Sequence, residues 1–300
     1  MAVVIAIEPG SVVVGVDGTV HSAHALAWAV DLAVFRHAPL CVLHGAIHPA
    51  GEQVPFGSAA GDLLTRASQR VTDHALALVR RKAPDLEVTV HAAYEDPRHV
   101  LLEAHDAGMI VVGSRGRGVV ASLLLGSVSL AVVSHARCPV TVMRPGRSGP
   151  PRERGDVVVG VDVDHSAREA LELGFEIAAM SKRPLVALHA WSAHDTFIDT
   201  ASYQQRLDIR TGHERRFAHL MGEVQDKHPE VPVTRTLVDD RAVQALVNAS
   251  HQASHLVLGR RHSQRLPHYV GSVSRAVVEH SDCPVSVASC VLPHHARGRS

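Results

Sequence analysis

Val13-Val14-Gly15-Val16-Asp17 is an apolar run of strand length that closes on a carboxylate. The chain spells it again, 145 positions later, as Val158-Val159-Gly160-Val161-Asp162. The same offset carries Pro39-Leu40 to Pro184-Leu185, His44 to His189, Pro84 to Pro229 and Thr89 to Thr234. It also carries Ser127-Val128-Ser129 to Ser272-Val273-Ser274, and Cys138-Pro139-Val140 to Cys283-Pro284-Val285. Solenoid repeats have periods of about 20–50 residues, so this offset marks a duplicated domain instead. Residues 144–155, Arg-Pro-Gly-Arg-Ser-Gly-Pro-Pro-Arg-Glu-Arg-Gly, have the Pro, Gly and charge content of a linker. Two domains are therefore expected, at 1–146 and 156–300.

Each copy alternates short apolar runs with amphipathic segments. In the first, Ser11–Asp17, Leu40–Ala46, Leu86–Ala92, Met109–Gly113 and Val140–Met143 are Val-rich and of strand length. Between them, Ser22–His37, Asp62–Ala83, Arg98–Asp106 and Ser127–His135 carry apolar residues at helical spacing. Runs that are apolar on both faces suit a buried parallel sheet. The fold class is α/β: two tandem doubly wound domains, each an open five-stranded parallel sheet flanked by helices. In such sheets a ligand lies beyond the carboxyl ends of the strands, where the strand order reverses.

Composition excludes several function classes. Of 300 residues 46% are hydrophobic and 20% charged, enough to bury a core. Thirty basic side chains cancel thirty acidic ones, so no whole-chain field draws nucleic acid or anionic lipid. Aromatics are 3%, too few for base-stacking platforms. The four cysteines form no disulfide framework; Cys41, Cys138 and Cys283 sit in apolar strand-like settings and read as buried thiols in a reducing cytosol. Met1 to Ile7 lacks a basic lead and meets Glu8-Pro9, unlike a signal peptide. The uncharged stretch from Gly118 to Ser134 is short for a bilayer span of about 20 residues and reads as a loop followed by a buried helix. The expectation is a soluble cytoplasmic protein with no nucleic-acid or membrane partner.

The strand Met109–Val112 runs into Gly113-Ser114-Arg115-Gly116-Arg117-Gly118. A spacer of nine residues after Gly116 leads to Gly126-Ser127, which opens a helix. Gly113 and Gly116 permit positive φ and a close approach of backbone to ligand. Free N–H groups there, with those at the helix start near Ser127, make an anion cradle to which the helix dipole adds roughly half a positive charge. The hydroxyls of Ser114, Ser127 and Ser129 can donate to phosphate oxygens, and Arg115 or Arg117 can cover them. The pattern is neither a dinucleotide fingerprint nor a P-loop, since no Lys-Ser/Thr follows the last glycine.

Asp17, followed by Gly18-Thr19, converges on the same crevice. Its carboxylate can accept from a ribose hydroxyl or reach a metal on the phosphates, while Val42 and His44 can line a base pocket. An aspartate after a strand is also commonly a turn or helix-cap residue. Taken together, the glycine loop and the aspartate at the right strand ends favour a mononucleotide site.

With Val-Gly-Val-Asp-Gly at the first strand, and Gly-x-x-Gly followed by nine residues and Gly-Ser, the chain resembles the universal stress protein family. The tandem arrangement is similar to its two-domain bacterial members. The first half carries the complete motif of the ATP-binding branch in Gly113, Gly116, Gly126 and Ser127. The resemblance implies a Rossmann-like fold with strand order 3-2-1-4-5, ATP bound by the loop and the aspartate, and a homodimer formed through the last strand. It implies a role in stress or dormancy with little or no hydrolysis. The ligand set it implies is Gly15, Asp17, Gly18, Val42, Gly113, Ser114, Arg115, Gly116, Arg117, Gly118, Gly126, Ser127, Val128 and Ser129.

The second half departs from that pattern. After Gly259 the second glycine is replaced by His262, the spacer to Gly271-Ser272 is one residue shorter, and Val163 replaces Gly18. A Cβ at either glycine position obstructs a phosphate. Gly160, Asp162, Gly259, Arg260, Arg261, Gly271 and Ser272 are the remaining candidates, with Arg260, Arg261 and Arg265 able to bind phosphate by side chain. A structural or regulatory role is expected for this half.

The 23 histidines read as solvated surface groups. His251 and His255 are spaced i, i+4 on an expected helix, and His294-His295 lies in the tail, but no third ligand or paired-cysteine motif makes a metal site. Glu95-Asp96 and Asp239-Asp240 follow the third strand of each half and read as helix caps. No Gly-x-Ser-x-Gly elbow or Cys–His pair points to nucleophilic catalysis. The chain is expected to bind ATP, with Mg²⁺ following the phosphates. Occupancy would set its stability or its surface for a regulatory protein, without turnover. The alternatives are a slow ATPase or nucleotidyl transferase at the same site, and a scaffold without nucleotide.

Overall fold

The computed structural model describes residues 7–46, 58–114, 125–144, 155–163, 167–192, 203–260 and 270–288. They form two compact units that part between Met143 and Arg144. The first contains β1 (Val12–Gly15), α1 (Val20–Arg36), β2 (Leu40–Gly45), α2 (Ala59–Lys82) and β3 (Val88–Ala93), then α3 (Pro97–Leu102), β4 (Met109–Gly113), α4 (Ser127–His135) and β5 (Val140–Met143). All its strand pairs are parallel, in the order β3-β2-β1-β4-β5. The second contains β6 (Val157–Gly160), α5 (Arg168–Ser181), β7 (Leu185–Trp191), α6 (Tyr203–Gln225) and β8 (Val233–Asp239), then α7 (Ala242–Ser250), β9 (His255–Leu258), α8 (Ser272–His280) and β10 (Val285–Val287). It repeats the parallel order as β8-β7-β6-β9-β10. Each unit is a Rossmann-like doubly wound domain.

The valine runs form the sheet because both faces are covered. Val12, Val13, Val14, Leu40, Val42, Met109 and Val111 are fully buried, each worth about 1.5–3 kcal/mol of transfer free energy. Helices α1 and α2 cover one face, and α3 and α4 the other. In the second unit α5 reaches its sheet through Gly174, where a Cβ would stand 2.2 Å from Val159 Cγ2. A glycine inside a helix costs about 1 kcal/mol, offset here by the close helix–strand approach.

The duplication persists in fine detail. His37 and Lys182, at the offset of 145, both cap their helices in the left-handed conformation, with φ of 51° and 54°. Lys82 pairs with Asp31 and Lys227 with Glu172, so each first helix is tied to the end of the next.

Several element ends differ from the sequence expectation. α1 starts at Val20 rather than Ser22 because Thr19 is its N-cap. α2 starts at Ala59 under a Ser58 cap. α3 stops at Leu102, short of Asp106. Cys41 lies in β2, whereas Cys138 and Cys283 precede β5 and β10 rather than lying in them. All three are buried free thiols. Burial raises the pKa of Cys41, opposed by a hydrogen bond with Thr89, and pushes Cys283 up to about 12. Among the described residues no helix is long and apolar enough to cross a membrane.

Candidate functional site

Pairing of β1 with β4, Val14 against Val111, sets the reversal of strand order between them. Their carboxyl ends lie side by side. Asp17 follows β1, and its Oδ1 accepts from Thr19 N at 2.9 Å and Thr19 Oγ1 at 2.7 Å. Thr19 Oγ1 in turn accepts from Ser22 N at 3.3 Å, while Ser22 Oγ accepts from Asp17 N at 3.3 Å. The turn reading of Asp17 is therefore realised. Among the described residues no hydrogen bond to Oδ2 forms. Between them Gly18 has φ of 81°, a conformation costing other L-residues roughly 1–2 kcal/mol.

The end of β4 continues through Ser114, whose N donates to Met143 O at 2.9 Å. Gly126 N then donates to Ser114 O at 2.8 Å, and Ser129 Oγ donates to Gly113 O at 2.6 Å. Two bonds thus clamp the start of α4 onto the end of β4. Gly126 is the N-cap of α4 and no side chain caps the helix. Its first N–H groups, at Ser127 and Val128, carry the positive end of the helix dipole. Ser127 is exposed beside them and Val128 is half-buried.

Some site expectations need correction. Gly113 does not have positive φ. It is small because a Cβ would lie 3.0 Å from both C and O of His21, in the first turn of α1. Ser129 is 3% exposed and spends its hydroxyl on Gly113 O, so it positions the helix instead of donating to a ligand. Ser114 is likewise buried. Gly15 makes room for the Leu101 side chain of α3, with a virtual Cβ 3.1 Å from Leu101 Cδ1. Val42 sits in mid-strand against Val14 and Val90, fully buried, and cannot line a pocket beyond the strand end. His44 is at that end but buried, its Nδ1 2.8 Å from Val16 O. Arg115, Gly116, Arg117 and Gly118 lie outside the described residues.

The second domain keeps part of this frame. Ser274 Oγ donates to Gly259 O at 3.1 Å, and α8 starts at Ser272 after Gly271 with no side-chain cap. Strand registers align Gly259 with Gly113 and Arg260 with Ser114, which accounts for the shorter spacer. Arg260 is buried, 3% exposed. Gly160 is a packing glycine, its virtual Cβ 2.9 Å from Leu246 Cδ2 and Leu258 Cδ2. After Asp162, Val163 does not adopt the left-handed conformation of Gly18, and α5 begins only at Arg168, without a side-chain cap. Arg261, His262 and Arg265 lie outside the described residues.

Three histidines are structural rather than solvated: His44, His189 and His255 are buried. His189 Nδ1 repeats the His44 tether with 2.8 Å to Val161 O. His251 and His255 do not share a helix; His251 ends α7 and bonds Asp282 at 2.7 Å, whereas His255 lies in β9 and bonds Ser286 Oγ at 2.8 Å. Burial pushes His255 down to about 3. His294 and His295 are outside the described residues. Asp96 caps α3, accepting from Arg98 N at 2.9 Å, and the hydrogen-bonded Arg98 side chain lowers its pKa. Asp239 and Asp240 line an open cavity of about 390 Å³ with Ser192 and Arg241. There Asp240 accepts from Arg241 N at 2.7 Å, while α7 itself has no side-chain cap.

The family model of the universal stress proteins matches residues 10–144 and again 153–289. The chain is 31% identical over 289 residues to universal stress protein Rv2005c of Mycobacterium tuberculosis, covering 92% of this chain and 96% of that one. With universal stress protein Rv1996 of the same organism it is 32% identical over 314 residues, covering 92% and 94%. The crystal structure of a universal stress protein from Archaeoglobus fulgidus aligns over 93% of this chain and 96% of its own with a TM-score of 0.64. At 17% identity that likeness speaks for the fold alone. Two matches of one family model, one per doubly wound unit, make this chain a tandem member of the universal stress protein family.

Proposed function

We propose that the first domain binds ATP at the carboxyl ends of β1 and β4, and that occupancy of this site sets the stability of the chain or its surface for a regulatory protein partner. The observation that carries this is the uncapped start of α4, clamped to the end of β4 by the Gly126–Ser114 and Ser129–Gly113 bonds. Held there, the Ser127 and Val128 N–H groups and the Ser127 hydroxyl suit the phosphates. Asp17 Oδ2 suits a ribose hydroxyl. The residues present fit the ligand: a carboxylate at the end of β1 for the sugar and an electropositive helix end for the anion. Mg²⁺ would follow the phosphates, with the Asp17 carboxylate available to hold it.

The protein acts as a binding module and not as an enzyme. The second domain, with Val163 at the Gly18 position and Arg260 buried at the Ser114 position, supports the first or regulates it. The chain works as a homodimer in the cytoplasm. Thermal unfolding with and without ATP tests the assignment. A ligand at 100 times its Kd adds about 2.7 kcal/mol to the folded state, so Tm should rise with ATP in wild type and rise distinctly less in Asp17→Ala. An unchanged wild-type Tm at millimolar ATP overturns it.

A further inference from the structure

In the second domain two imidazoles meet nitrogen to nitrogen. His189 Nε2, on β7, lies 2.9 Å from His213 Nδ1, on α6. The other nitrogen of His189 is 2.8 Å from Val161 O, and a carbonyl has no proton to give, so His189 Nδ1 carries one. His189 is buried, and an unbonded buried donor is costly, which fixes the ring. Only one proton fits between the facing nitrogens, because two N–H groups aimed at each other repel. The closed pair therefore holds at most three protons on its four nitrogens, and a net charge of zero or one.

We infer that this pair is a proton-operated latch for the start of α6, independent of the nucleotide site. The first added proton enters at His213 Nε2 and strengthens the latch, because His213 Nδ1–H then donates to neutral His189 as a charge-assisted bond. A second proton converts the remaining acceptor into a donor. The bond then breaks, leaving two imidazolium rings with centroids 5.0 Å apart to repel one another. Below the latch α6 is anchored by Phe217, Met221 and Val224, all buried. Opening therefore frees the turns before Phe217 and leaves the helix attached.

Charged and aromatic groups on every neighbouring element surround the pair. Arg216 Nη2 stands 3.4 Å from His213 Nδ1 and opposes both protons. The indole of Trp191, 5.8 Å from His213 between centroids, favours a cation there. On β8, Arg235 and Asp239 share the sheet face of Leu237, the register partner of His189. Asp162 follows Val161 at the end of β6. On α6 Arg210 pairs with Glu214. On α5 the charged residues are Arg168, Glu169, Glu172 and Glu176, of which Arg168 pairs with Glu223 and Glu172 with Lys227. The first domain retains the His44–Val16 tether, but the residue at the offset of His213 is Ser68. The latch belongs to the second domain.

The chain has two tryptophans, so Trp28→Phe leaves Trp191 as a single reporter beside His213. Its emission and the amide exchange of the full chain are followed from about pH 8 to about 4.5, the range that spans histidine titration. Emission should fall as the first proton makes a quenching imidazolium. It should recover at lower pH as residues 207–216 exchange about tenfold faster while β6 and β7 stay protected. Adding His213→Gln, whose amide can still donate to His189, should abolish both steps. The same emission curve in that variant overturns the latch. So does exchange at the start of α6 that accelerates only together with β7.

Discussion

Ser129 Oγ donates to Gly113 O across 2.6 Å, and Ser274 Oγ makes the matching bond to Gly259 O at 3.1 Å. A serine two residues into a helix thus satisfies a carbonyl at the carboxyl end of the strand before it, Gly113 at the end of β4 and Gly259 just past β9. With Gly126 N bonded to Ser114 O, it holds an electropositive helix end at the carboxyl end of β4. The serine acts by position.

Ser129→Ala should orphan the Gly113 carbonyl and cost about 1–3 kcal/mol of first-domain stability, read from urea unfolding. ATP affinity should fall with it, because the start of α4 is no longer pinned. Ser274→Ala should destabilise the second domain by a similar amount and leave ATP affinity unchanged. Loss of affinity in both variants would show that the second site also carries nucleotide.

Gly18→Ala and Gly113→Ala should both destabilise, for different reasons. The first forces an alanine to φ of 81°, costing roughly 1–2 kcal/mol. The second drives a methyl to 3.0 Å from the His21 backbone and pushes the start of α1 away, an overpacking cost of about 1–3 kcal/mol. Melting curves without ligand separate these effects from binding; wild-type stability in Gly113→Ala would refute the packing role.

Asp17→Asn keeps an oxygen for Thr19 and removes the charge. Loss of a hydrogen bond to a charged group is worth about 1.5–3 kcal/mol, so ATP should bind at least about tenfold more weakly while the unliganded Tm barely moves. Asp17→Ala should lower both, since the turn with Thr19 is lost as well. Normal ATP binding by Asp17→Asn would leave the carboxylate with a turn role alone.

His255 sets an acid limit. Its pKa falls from 6.5 to about 3 on burial, so below 6.5 the unfolded chain binds a proton that the folded chain refuses. The stabilisation is complete above 6.5 and is lost progressively as pH falls toward about 3. The loss is on the order of 2 kcal/mol at pH 5 relative to pH 8. In His255→Gln the second-domain unfolding transition should be less stable overall and flatter over this range. An unchanged slope would mean that another group controls it.

The repeated Val-Val-Gly-Val-Asp run was enough to place β1, β6 and the duplication, because a valine run buried on both faces leaves few alternatives to a parallel strand. β4 and β5 agree with the sequence expectation to the residue, each bounded by a Gly or Pro. Helix starts were less legible. Thr19 caps α1 two residues early, although a threonine just before an apolar-periodic run is itself an N-cap signal. Val42 is the exception: the expected strand Leu40–Ala46 already sets it mid-strand, where it lies between Val14 and Val90. The Ser129 bond joins residues 16 apart and the His189–His213 pair residues 24 apart. Only the tertiary fold brings such partners together. The recurrence of Ser-Val-Ser at both helix starts was the available hint, and it fits a positioning role as well as a ligand role.

Titration calorimetry of the full chain with ATP and Mg²⁺ tests the central claim most directly. One ATP per chain is the expected stoichiometry, abolished or weakened at least about tenfold by Asp17→Asn and untouched by Ser274→Ala. Two equivalents per chain, or binding that survives Asp17→Asn at full strength, would contradict a nucleotide site built on the ends of β1 and β4 in the first domain.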